Sequence, residues 1–270
     1  MGRQVGPPIS EADKAWLRAQ KVFFHASAPL DKDNRVNVSP KSAKEFRVVD
    51  DTTVCWLDLS GSGSETAAHI MENGRLTLLF VSFTGAPRIM RLYGKGSFLR
   101  PLELLKDSNK KYADLYPGEL VGGKNFNVGF RCVVILKVTR ISQSCGYSIP
   151  KFDFAEDREI LNEFSEKKGY EGMIEYRGYK NSFSIDGLRS IGQLEMQQTP
   201  ASVRSEGGYY FASYKSAGFV RDLLNKVSIS VKMHVASGMH GWVRDMSMMC
   251  LGILLGVCST LILMSLKKEY

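Results

Sequence analysis

The sequence predicts a mainly β domain with flanking helices, folded as a closed or partly open barrel, followed by a single C-terminal transmembrane helix. Three observations carry this. Short β-rich runs succeed one another between residues 21 and 150. Turn pairs such as Asp33-Asn34 and Asp50-Asp51 punctuate them. Charge then vanishes from residues 246–266.

The runs come in order as Lys21 to Ala26, Arg35 to Ser39, Phe46 to Val49, Thr53 to Leu59, Leu76 to Phe83, Ile89 to Phe98 and Arg131 to Ile141. Many short strands with few helices favour a barrel. Helices are expected near Ser64 to Glu72 and Leu102 to Leu115, with a short N-terminal one carrying Trp16 and Leu17. In residues 151–180, Ile160, Leu161 and Phe164 form an apolar stripe, as on a helix covering the barrel. The chain therefore divides into a barrel domain, 1–150, and a helical cover segment of the same domain, 151–190. A linker with an amphipathic helix, 191–245, and the membrane helix, 246–266, follow. That last stretch, MSMMCLGILLGVCSTLILMSL, has about the ~20 residues a bilayer needs. With no secretory leader at the start, the main domain is expected in the cytosol. The terminal KKEY fits a dilysine retrieval pattern, but this topology puts it on the other side of the membrane.

The chain has 270 residues and a formal net charge of +8. No long Lys/Arg run concentrates that charge, so nucleic-acid binding is not expected. Five widely spaced cysteines without CxxC, and four histidines without ligand spacing, predict free thiols and no metal. No nucleophile–His–acid constellation is visible.

Chemistry concentrates at DLSGSGSETAAH, residues 58–69. Gly61 and Gly63 allow close backbone approach. Ser60, Ser62, Ser64 and Thr66 supply hydroxyls, and Ser64 is placed to cap the helix. Free N–H groups at a helix start bind phosphate, and Lys41 adds charge. The same residues also make an ordinary capped turn.

RVNVSPKS, TTVCWLDLSGSGSETAAHIMENGRLTLLF and GAPRIMRLYGKGSF together resemble the pyridoxamine 5′-phosphate oxidase-like family, in its uncharacterised branch of FMN-binding split barrels. The later KNSFSIDGL, residues 180–188, resembles a segment of that branch. The resemblance covers about residues 15–190. It implies a split β-barrel homodimer with FMN between the subunits. It places Lys41 on the phosphate, at the end of a strand that also carries Ser39. It places Trp56, Leu57 and Asp58 along the flavin ring, and Ser62, Ser64 and Thr66 at the phosphate. Where the vitamin B6 oxidases have Ser-Arg-Lys, this chain has Ser64-Glu65-Thr66, and an expected Gln is Ile89. Arg88 and Arg91 are the candidates to compensate. The substrate segment of those oxidases is missing too, so pyridoxamine phosphate is not the expected substrate. The expected protein is a membrane-anchored FMN-dependent oxidoreductase acting on a small molecule. The alternatives are a flavin- or haem-binding module without turnover, and a membrane-tethered adaptor.

Overall fold

The fold is taken from a computed structural model, which describes residues 3–117 and 127–198. These belong to one compact unit, residues 1–208. The expected membrane helix, 246–266, and residues 199–245 of the expected linker lie outside the described residues. Among the described residues, no helix is long and apolar enough to cross a membrane.

Eight antiparallel strands form one sheet. They are β1 (Arg3–Val5), β2 (Val22–Ser27), β3 (Asn37–Ser42), β4 (Phe46–Val48), β5 (Thr53–Leu59), β6 (Arg75–Val81), β7 (Ile89–Leu99) and β8 (Phe130–Ser144). The order is β3-β2-β6-β7-β8-β5-β4, with β1 paired to the far end of β8. The two edge strands, β3 and β4, are neighbours in the chain, joined by a 3-10 turn at Ala43–Glu45. Three residues can join the two edges only if the sheet curls round on itself. The result is a split barrel, its edges adjacent but unpaired. Pro40 sits on edge strand β3, where its missing N–H costs no ladder bond.

An aromatic cluster fills the barrel. Phe23 stacks on Phe80 at 5.3 Å, Phe46 meets Phe80 at 5.0 Å, and Trp56 lies edge-on to Phe23 at 5.4 Å. A second cluster, including Cys55, Leu57, Tyr112, Tyr116 and Val133, lies outside the barrel wall. It is buried because α3 (Pro101–Leu104) and α4 (Lys110–Ala113) cover it. Strand β5 is thus buried on both faces, and TVCWLDL reads as a nearly continuous apolar run for that reason. Gly94 marks a bulge where β7 crosses β8: a Cβ there would lie 1.9 Å from the Lys137 carbonyl oxygen.

Two expectations change. The helix expected over Leu102 to Leu115 breaks into α3, a 3-10 turn at Asp107–Asn109, and α4. α5 (Ile160–Lys180) exists, but the apolar stripe is not its buried face. Ile160 is 69% exposed, whereas Ser165, Met173 and Arg177 are buried. A kink at Gly169, where φ is +69°, separates the two halves and resets the face. α6 (Ile191–Gln198) then packs against α5, at the start of the stretch read as a linker.

Candidate functional site

The site is built around the end of β5. On β3, Asn37, Ser39 and Lys41 share one face because side chains alternate along a strand. On β5, Asp58 shares the Trp56 side, while Leu57 points to the outer cluster. α2 (Glu65–Glu72) begins directly after the Gly-Ser loop.

Asp58 is a buried carboxylate inside an apolar strand, and it has two cations. Lys41 Nζ donates to Oδ1 at 2.5 Å, and Arg131 Nη2 donates to Oδ2 at 2.6 Å. Burial works to raise the Asp58 carboxyl, but Arg131 and Lys41 outweigh it and hold it well below the usual carboxylate range. Both ends of the ion pair with Arg131 are about 6% exposed, so this is an interior pair. The next residue on β8, Cys132, has its thiol pushed up by burial and the adjacent carboxylate.

The Gly-Ser loop is held by its carbonyls. Asn181 Nδ2 donates to Gly61 O at 2.9 Å and to Ser62 O at 3.3 Å. Arg131 Nη1 donates to Gly63 O at 2.9 Å, and Ser190 Oγ donates to Ser64 O at 2.8 Å. Arg177 Nη1 donates to Ser60 Oγ at 3.2 Å while its other nitrogens hold Glu195. Every carbonyl from Gly61 to Ser64 is thereby turned onto a donor. The backbone N–H groups of the six residues from Ser62 to Ala67 carry no hydrogen bond among the described residues. Some are the free donors every helix start has; here they continue without a break into the loop.

Ser64 occupies the N-cap position of α2, as expected, but its side chain makes no capping bond. Its hydroxyl donates instead to Phe183 O at 3.0 Å, because residues 181–190 fold back over the loop and offer a part-buried acceptor. Glu65 also turns to that return segment. Its Oε1 accepts from Ile185 N at 3.3 Å, and a Cβ on Gly63 would stand 2.8 Å from its Oε2. The carboxylate therefore folds back over Gly63.

Beside the loop runs a buried polar chain. Asn37 Nδ2 donates to Thr66 Oγ1 at 2.9 Å, and Ser39 Oγ donates to Asn37 Oδ1 at 3.1 Å. His25 Nε2 lies 3.4 Å from Thr66 Oγ1, and His69 Nδ1 lies 2.9 Å from Ser27 Oγ. Burial, then the Lys41 ammonium, lowers the His25 imidazole to about 3, so it is neutral at physiological pH. His69 is lowered as well, chiefly by burial. His25 Nδ1, His69 Nε2 and Trp56 Nε1 are buried without a hydrogen-bond partner among the described residues.

Of the expected site residues, the structure brings together Ser39, Lys41, Asp58, Ser62, Ser64 and Thr66. Trp56 lies alongside, edge-on to His25 at 5.6 Å. Leu57 faces the other way. Arg88 is held by Asp13 and stacks on Trp16 of α1 (Glu11–Ala19) at 4.6 Å. Arg91, on β7 opposite Leu79 and Ser142, takes no part in the network. Sequence reasoning missed Arg131, Asn181, Arg177 and His25. One signal was present: an Asp within an apolar strand requires a buried cation, and Arg131 opens another apolar run.

The family model described as "Pyridoxamine 5'-phosphate oxidase" matches residues 9–145. A pyridoxamine 5′-phosphate oxidase family protein of Aspergillus flavus, ustO, is 35% identical over 198 residues, covering 68% of this chain and 76% of that protein. Among solved structures, HupZ of Group A Streptococcus is 22% identical, with a TM-score of 0.36 over 49% of this chain and 91% of that one. An FMN-binding protein of Syntrophomonas wolfei is 16% identical, with a TM-score of 0.32 over 48% and 82%. On the family model and the Aspergillus flavus relative, the chain belongs to the pyridoxamine 5′-phosphate oxidase family.

Proposed function

We propose that the protein is an FMN-dependent oxidoreductase, with the flavin phosphate on the Gly-Ser loop and a substrate other than pyridoxamine phosphate. One observation carries the reading: the loop carbonyls from Gly61 to Ser64 are all satisfied from behind, while six successive N–H groups at the start of α2 have no partner among the described residues. That arrangement suits a phosphate. When bound, FMN supplies hydride and electron transfer. The chain's own residues do the rest. Asp58 holds the Lys41 ammonium at the loop, Arg131 and Asn181 fix the loop backbone, and His25 stays neutral beside Trp56. The same pair Lys41–Asp58 and the nearby Glu65 carboxylate keep the site less positive than a bare Lys would make it.

A second reading, a barrel that holds flavin without turnover, is favoured by Glu65 lying against Gly63. The two are separated by adding FMN and then NADH or NADPH with air. The oxidoreductase reading expects bleaching near ~450 nm and repeated turnover. Bound FMN that no nicotinamide reduces favours the second reading.

The proposed assembly is a homodimer. Exposed Leu30, Val36, Val38 and Ile185 supply apolar surface beside edge strand β3; a monomeric mass by light scattering would contradict it. The proposed location is a membrane, with residues 246–266 as the anchor and the barrel on the cytosolic side. The uncharged 21-residue run supports this. The anchored chain should resist alkaline carbonate extraction, and a chain ending at residue 240 should not.

A further inference from the structure

A groove of about 570 Å³ lies away from the Gly-Ser loop, between the end of α1 and the β3–β4 corner. That is the size of a small-molecule site. Arg18, Lys21, Lys44 and Arg47 line it, over a floor that includes Phe46 and Leu115. Four cations around an apolar floor in a concave space are an unusual combination, because like charges gathered in a groove repel unless something answers them.

The carboxylates present answer them only in part. Arg47 meets Glu45 and Lys44 meets Glu159, each at 3.6 Å. Such long, half-exposed pairs contribute little. Asp157 also lines the groove and brings one negative charge to its β3 side, where it accepts from Ser42 Oγ at 2.9 Å and pairs with none of the four cations. Arg18 and Lys21 have no carboxylate partner among the described residues; Lys21 lies over the Phe154 ring at 5.3 Å. The unanswered charge therefore stands at the α1 end, beside the apolar floor. A bare inorganic anion would leave Val48 and Leu115, the half-buried apolar residues of the lining, uncovered. A neutral apolar ligand would leave the cations unanswered.

We propose that this groove is a second ligand site that takes a small organic anion with an apolar body, an aryl or alkyl carboxylate. Its carboxylate meets Arg18 and Lys21, and its body covers Val48 and Leu115. The site stands independently of the flavin reading, since none of its residues belongs to the loop network.

The test uses the full chain without added flavin, with 4-(trifluoromethyl)benzoate as the probe followed by fluorine NMR. Saturable binding is expected. Arg18→Glu and Lys21→Glu change exposed side chains that make no ion pair among the described residues, so the fold should survive. Each should weaken the probe at least about tenfold, the loss of a charge-assisted contact. Arg140→Glu, an exposed charge reversal on β8, should leave binding within about twofold of the parent. The neutral 4-(trifluoromethyl)benzamide and the body-less acetate should both bind at least about tenfold more weakly. No saturable binding would overturn the proposal. So would equal weakening by Arg140→Glu, or a benzamide or acetate that binds as well as the benzoate.

Discussion

Replacing Arg131 by Met is expected to destabilise the folded chain by about 3–5 kcal/mol, the usual loss when one partner of a buried ion pair is removed. Arg131 and Asp58 are each about 6% exposed, and Lys41 alone would be left to hold the carboxylate. The same substitution frees the Asn181 side-chain oxygen, a buried acceptor, and the part-buried Gly63 carbonyl. Urea denaturation measures the loss. Adding Asp58→Asn to Arg131→Met should recover part of it, because the stranded charge is gone. If the single variant loses less than about 1 kcal/mol, the pair is not the anchor described above.

Acid should unfold the protein earlier than its carboxylates alone require. The His25 imidazole sits at about 3 in the folded state, against an ordinary ~6.5 when unfolded. Between those values the unfolded chain binds a proton that the folded chain refuses. Stability therefore rises with pH through that window and falls on acidification. Near neutrality the contribution is fully present. By pH 4 the loss from His25 approaches about 3 kcal/mol. His69, also lowered, acts in the same sense. Asp58 adds its own loss at lower pH, as its depressed carboxyl is protonated more readily in the unfolded chain. Denaturation at pH 7, 5 and 4 should show the slope, and His25→Asn should flatten it between 6.5 and 4. An unchanged slope in that variant would place the acid sensitivity elsewhere.

The strands were legible because alternation and turn residues are local signals. LTLLFVSF and RCVVILKVTRI are β6 and β8 with boundaries shifted by a few residues. The barrel closure was not local, since it depends on β3 and β4 being sheet edges and chain neighbours at once. α5 misled in a specific way. Ile160, Leu161 and Phe164 are at helical spacing, but Gly169 breaks the helix, and burial follows its second half through Met173 and Arg177. At the site, Lys41, Ser62, Ser64 and Thr66 could be read from residue type and spacing. Ser64 holds the N-cap position read from the sequence, but its hydroxyl leaves the helix because its acceptor, Phe183, lies 119 residues away. Asn181 and Ser190 were invisible for the same reason: each acts on a loop carbonyl more than 100 residues away in the chain.

The proposed phosphate site depends on the return segment and Arg131 turning the loop carbonyls away, which leaves six N–H groups for the anion. The most direct measurement is the affinity of the full chain for FMN beside that for riboflavin, which lacks the phosphate. FMN should bind at least about a hundredfold more tightly, as several charge-assisted contacts imply. Asn181→Leu, which releases the Gly61 and Ser62 carbonyls, should shrink that ratio while riboflavin binds as before. Equal affinities for the two flavins, or no binding of either, would contradict the account.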